Sequence, residues 1–126
     1  MRALTLVGAA FVATSFATNS AAELINIEWD ASGEFSRSVT VPARKFVEVC
    51  GKLKRGAEIE WQFRAQQPLD FNIHYHVGEK VEFPEKRTAV TTFGSRLVVQ
   101  SEQDYCWMWK SAVEVPIPLE IRLLAR

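Results

Sequence analysis

The chain has 126 residues, with 15 basic and 15 acidic side chains and a formal charge of zero. That length holds one domain able to bury roughly two thirds of its unfolded surface. A balanced charge without a basic stripe excludes a nucleic-acid binder that neutralises phosphates, and it excludes electrostatic docking on anionic lipid.

The first element is a processing signal. Arg2 is followed by the mostly apolar run Ala3 to Phe16 and by the small residues Ser20, Ala21 and Ala22. The run is shorter than the roughly 20 residues that span a bilayer, so it reads as an export leader, residues 1–22, cleaved after Ala22. Residues 23–126 then form one domain, with no stable membrane insertion once the leader is gone. A periplasmic or secreted location follows.

From Glu23 onward the pattern is alternation with period two. Strands are predicted at Leu24 to Trp29, Ser36 to Val41 and Lys45 to Val49. The clearest is Glu58 to Arg64, with Ile59, Trp61 and Phe63 facing inward. Leu69, Phe71, Ile73 and Tyr75 repeat the pattern, with Asp70, Asn72, His74 and His76 on the opposite face. Further strands are expected at Arg96 to Gln100, at Asp104 to Lys110 and over the alternating run Val113 to Leu123. Pro116 and Pro118 mark that last run as an edge strand or a bend, since proline donates no ladder hydrogen bond.

Turn signals separate these runs at Ser32-Gly33, Lys54-Arg55-Gly56, Gln66-Gln67-Pro68, Phe93-Gly94-Ser95 and Ser101 to Asp104. Charges and a proline crowd Gly78 to Arg87, which reads as an exposed loop. About eight short strands with regular turns make an all-β antiparallel sandwich, of jelly-roll type, or a barrel.

Cys50 and Cys106 are the only cysteines. In an exported chain they point to one disulfide, the other option being two free thiols that ligate a metal.

The order of residues from Lys45 to Leu123 resembles the GOLD domain. A strand ending in Cys50 is followed by a Lys-X-Gly turn at Gly56, the strand of Trp61 and Phe63, an Asp-Phe-X-Ile strand at Asp70 and Ile73, and Tyr105-Cys106-Trp107 before a closing strand. The resemblance implies a β-sandwich with Cys50 bridged to Cys106. It also implies binding of a protein or a lipid-like ligand with no chemistry of its own. GOLD-domain cargo receptors carry a coiled coil and a membrane span after the domain. Neither follows here, so that role is not implied.

Two sets of side chains carry possible chemistry. His74 and His76 stand at i and i+2 on one strand, so both imidazoles face one side and can converge on a metal ion. Met108, on the opposite face from Tyr105, Trp107 and Trp109, would complete a soft His-His-Met copper site if its strand lies beside theirs. Asp70 or Glu79 would then orient an imidazole. The competing reading makes the histidines part of a solvated face and Met108 a gap filler. The chain lacks a nucleophile-elbow motif, a glycine-rich phosphate loop and a Cys-X-X-Cys pair, so it reads as a non-enzymatic binding module for a protein or small ligand. A periplasmic copper-binding protein is the alternative.

Overall fold

A computed structural model of the chain describes residues 8–13 and 22–126. Most of the expected leader lies outside the described residues. The rest is all-β, with strands β1 (Glu23–Asn26), β2 (Glu34–Val41), β3 (Phe46–Leu53), β4 (Glu58–Val77), β5 (Lys80–Val98), β6 (Gln103–Lys110) and β7 (Ile117–Ala125). They form one ladder in the order β1-β3-β6-β4-β7-β2, with β5 on the other side of β4. All pairings are antiparallel except that of β1 with β3.

The ladder becomes a sandwich because β4 changes neighbour halfway along. Ile59–Ala65 pairs with β7, and Asp70–His74 pairs with β6. Between them the strand turns a corner, and β5 bends with it through register shifts. One layer is therefore β2-β7-β4-β5, and the other is β1-β3-β6-β4-β5.

The alternating residues fill the space between the layers. Ile59, Trp61, Phe63, Leu69, Phe71 and Ile73 of β4 are buried, as are Tyr105, Trp107 and Trp109 of β6 and Ile117, Leu119, Ile121 and Leu123 of β7. The aromatic centre is tight. Trp61 lies 4.9 Å from Phe71 and 5.0 Å from Phe93 between ring centroids, and Phe63 and Phe71 each lie 5.5 Å from Trp109. Cys50 and Cys106 are directly opposed in the β3–β6 register and are joined by a disulfide.

Four local expectations are corrected. Gln66-Gln67-Pro68 is no turn; it is the exposed corner of a continuous β4. Pro68 is tolerated there because β7 stops pairing at Ala65 and β6 starts only at Asp70, so no ladder donor is needed. Gly78 to Arg87 is a tight hairpin, not a loop. Gly78 takes φ 59° in the two-residue turn between Val77 and Lys80, and β5 runs on from there.

The third correction concerns the end of the chain. Val113 and Val115 precede β7 and are exposed. β7 is an interior strand between β2 and β4, yet it accepts Pro118, because its pairing with β4 begins one residue later at Leu119.

Finally, Phe93-Gly94-Ser95 lies within β5. A Cβ at Gly94 would stand 2.9 Å from the Trp61 carbonyl oxygen and 3.1 Å from Gln62 Cβ. The glycine therefore marks a close backbone approach rather than a turn. Gly94→Ala is expected to destabilise the fold by about 1–3 kcal/mol, the usual range for overpacking. A urea midpoint equal to that of the wild type would contradict this.

Candidate functional site

The chemistry-bearing residues gather on the outer face of the β1-β3-β6-β4 layer. Alternation sends Glu48 and Cys50 of β3, Cys106 and Met108 of β6, and Asn72, His74 and His76 of β4 to that side. Register then arranges them in rows. One row is Asn26, Cys50, Cys106, His74; the next is Leu24, Glu48, Met108, Asn72, Lys86. The disulfide is thus the immediate neighbour of His74, and Met108 lies between Glu48 and Asn72.

The structure brings His74 and His76 together, with ring centroids 5.4 Å apart and planes at 86°. It treats them differently. His76 is exposed, two residues past the last β4–β6 pair at His74, whereas His74 is buried despite its outward direction, with 7% of its surface exposed. Cover comes from its neighbours: the Phe83 ring lies 6.1 Å away, and Glu48 leans across β6. His74 Nδ1 pairs with Asn72 Oδ1 at 2.8 Å, and Nε2 lies 3.8 Å from Glu48 Oε2. Met108 is half-buried on the same face, opposite Asn72 rather than either histidine.

Of the expected orienting carboxylates, Asp70 accepts a hydrogen bond from the Ala89 amide at 3.0 Å. It thereby holds β5 at the corner, where Ala89 takes φ 52°. Glu79 sits exposed in the hairpin turn. The side chains that do approach His74 are Asn72 and Glu48. Asn72 was readable as the i−2 neighbour on the same face. Glu48 shares its face with Cys50, but its approach depends on the β3-β6-β4 order, which strand alternation does not encode.

Burial lowers the His74 pKa from the ordinary histidine value of 6.5; the Glu48 carboxylate opposes this, and His76 adds to it. A depressed value means that the unfolded chain takes up the proton first. His74 therefore contributes stability that is present above pH 6.5 and is lost as pH falls from there through the folded value. The melting temperature is expected to fall more steeply below pH 6.5 in the wild type than in His74→Gln. Parallel curves for the two proteins would refute this.

Beside the histidines, the end of the hairpin carries Val81 and Phe83, exposed by 39% and 46%, and on its other face Val77, exposed by 48%. Lys86 Nζ lies 4.8 Å from the Phe83 ring centroid. The opposite outer face, on the β2-β7-β4-β5 layer, is polar and internally paired. Arg122 bonds Glu34 at 2.8 Å, Arg64 bonds Glu120 at 2.7 Å, and Arg96 reaches Glu58 at 3.4 Å. A shallow depression there, of about 560 Å³ and bordered by Ser36, Gln62 and Thr92, is open to solvent. Such exposed pairs contribute little to stability, and the face reads as a solvated one.

No family model matches the sequence, and no curated protein matches it. Solved structures share the fold. PliG of Aeromonas hydrophila, a periplasmic lysozyme inhibitor of g-type lysozyme, superposes with a TM-score of 0.63 at 8% identity, over 84% of this chain and 98% of that one. The Yersinia pseudotuberculosis-derived mitogen gives 0.56 at 11% identity, over 72% and 84%. The pre-peptidase C-terminal domain of collagenase from Bacillus anthracis gives 0.57 at 7% identity, over 86% and 99%. At these identities the likeness establishes a common fold, which carries no function by itself.

Proposed function

We propose that the chain is an exported, non-enzymatic binding module that docks a protein through the end of the β4–β5 hairpin. One observation carries the reading: Val81 and Phe83 on one face, and Val77 on the other, are exposed at the free end of the two longest strands. Apolar side chains clustered on a rigid projecting element and rimmed by charge are the usual make-up of an interaction patch. Glu79, Lys80, Glu82 and Lys86 supply that rim.

The disulfide supports export, because such bonds persist in oxidising compartments. The periplasmic inhibitors among the fold neighbours support both a periplasmic location and a protein partner. The GOLD resemblance over Lys45 to Leu123 favours the same class, a sandwich that binds without catalysis.

Site-specific cross-linking tests the reading. A photoreactive side chain at position 83 should capture one discrete protein in an envelope extract, and the same group at the exposed position 62 should not. Excess wild-type protein should compete, and Phe83→Ser should not. Equal capture from both positions, or competition by Phe83→Ser, would overturn the assignment. A g-type lysozyme is the first defined partner to test, by loss of its lytic activity on addition of the chain.

A further inference from the structure

The buried half of the histidine pair is arranged in a way that protein docking does not require. Asn72 Oδ1 is a carbonyl oxygen and only accepts, so His74 Nδ1 at 2.8 Å carries the proton. In the neutral imidazole, the lone pair is then on Nε2. That nitrogen faces Glu48 Oε2 across 3.8 Å, too far for a direct hydrogen bond. Both groups are largely withdrawn from solvent, with side-chain exposures of 10% and 17%. Two acceptors held face to face in this way are brought into balance by a cation between them.

We propose that His74 Nε2 and the Glu48 carboxylate are the primary ligands of a divalent metal ion, zinc or copper(II), with His76 as the third protein ligand. Bonds of about 2.0–2.2 Å to nitrogen and oxygen let one ion reach both primary atoms across their 3.8 Å separation. His76 is exposed on the same face with its ring 5.4 Å from that of His74; it stands outside the cluster of ligand atoms as placed and would join the ion by turning about its own side-chain bonds. Asn72 acts as the positioning residue. A metal-bound histidine characteristically donates its other N–H to an oxygen, which fixes tautomer and ring direction.

The sulfur of Cys106 lies within 4.8 Å of the Glu48 and His74 ligand atoms. It belongs to the disulfide, so it lines the site as a neutral wall and supplies no thiolate. A carboxylate ligand in place of a thioether also changes the expected metal. Imidazole with carboxylate suits zinc or copper(II), whereas the His-His-Met set suits Cu(I).

The test is titration of the oxidised protein with Zn²⁺ and, separately, with Cu²⁺, followed by calorimetry and by ¹⁵N resonances of the histidine rings. One equivalent of at least one metal should bind, moving His74 Nε2 while Nδ1 keeps its proton. Glu48→Gln and His76→Ala should each weaken binding by at least about tenfold, and Asn72→Ala by about 10–100-fold. Thermal melts of the metal-free variants separate these effects from misfolding. No saturable uptake of either ion would overturn the proposal, as would uptake undiminished in Glu48→Gln, or a shift at Nδ1 instead of Nε2. The readout needs no hairpin partner: metal uptake is read on the purified chain alone, so it stands or falls whether or not position 83 captures a protein.

Discussion

Trp61→Ala should be among the most damaging single changes in the chain, lowering stability by about 3–5 kcal/mol. Trp61 is 4% exposed and lies against Phe71, from the half of β4 beyond the corner, and against Phe93 of β5. Its neighbours belong to strands fixed on both sides, so the space left by the indole cannot close by a small shift. A domain of this size has a total stability of about 5–15 kcal/mol, so the loss consumes a large part of it. Trp61→Phe should cost much less. It keeps an aromatic ring, and it removes a buried indole N–H that has no hydrogen-bond partner among the described residues. Urea denaturation of the three proteins checks the order. An alanine variant that melts with the wild type would mean that the inward face of β4 is wrongly assigned.

Loss of the disulfide is the second large effect. The bond joins residues 56 positions apart. In the chain-entropy model, closing a loop of that size restricts the unfolded state by about 4 kcal/mol. The double variant Cys50→Ala/Cys106→Ala should therefore melt far below the wild type, and reductant should bring the wild type down to the same temperature. Two alanines avoid the separate effect of stranding one thiol. In the folded state β3 and β6 keep their ladder on both sides of the pair, from Phe46–Lys110 to Leu53–Gln103, so the fold should persist at low temperature. Identical melting with and without reductant would refute the entropic account.

Much of the frame was legible because buried β-strands write their geometry into alternation. Ile59, Trp61 and Phe63, then Leu69, Phe71 and Ile73, declared both halves of β4 and its inward face. The odd numbering of both sets even preserves phase across the corner. What alternation does not say is that the halves are one strand, since Gln66-Gln67-Pro68 has the composition of a turn.

β5 was the element most poorly read, for a related reason. It pairs with β4 alone and most of its side chains are exposed, so no inward face disciplines its sequence. Its first half is instead rich in charge and carries Pro84, the composition that keeps an open edge from pairing with other chains. Val113 and Val115 show the converse error, alternation without burial.

The candidate site was half legible. Spacing alone placed His74 and His76 on one surface, and the strand order confirms that Met108 shares it. The burial of His74 was invisible, because an outward residue is covered only by side chains arriving from other strands. Glu48 comes from two strands away and Phe83 from the hairpin partner. Both approaches are products of topology, which a one-dimensional pattern does not carry.

Sharing β4 and β5 between the layers also governs how the molecule comes apart. In a sandwich of two independent sheets, one can loosen while the other survives. Here the same two strands cross the corner, so stripping them from one side removes the centre of the other. Partial opening is confined to the outlying strands β1 and β2, and beyond that the chain has no half-built refuge: it loses its architecture in a single cooperative event.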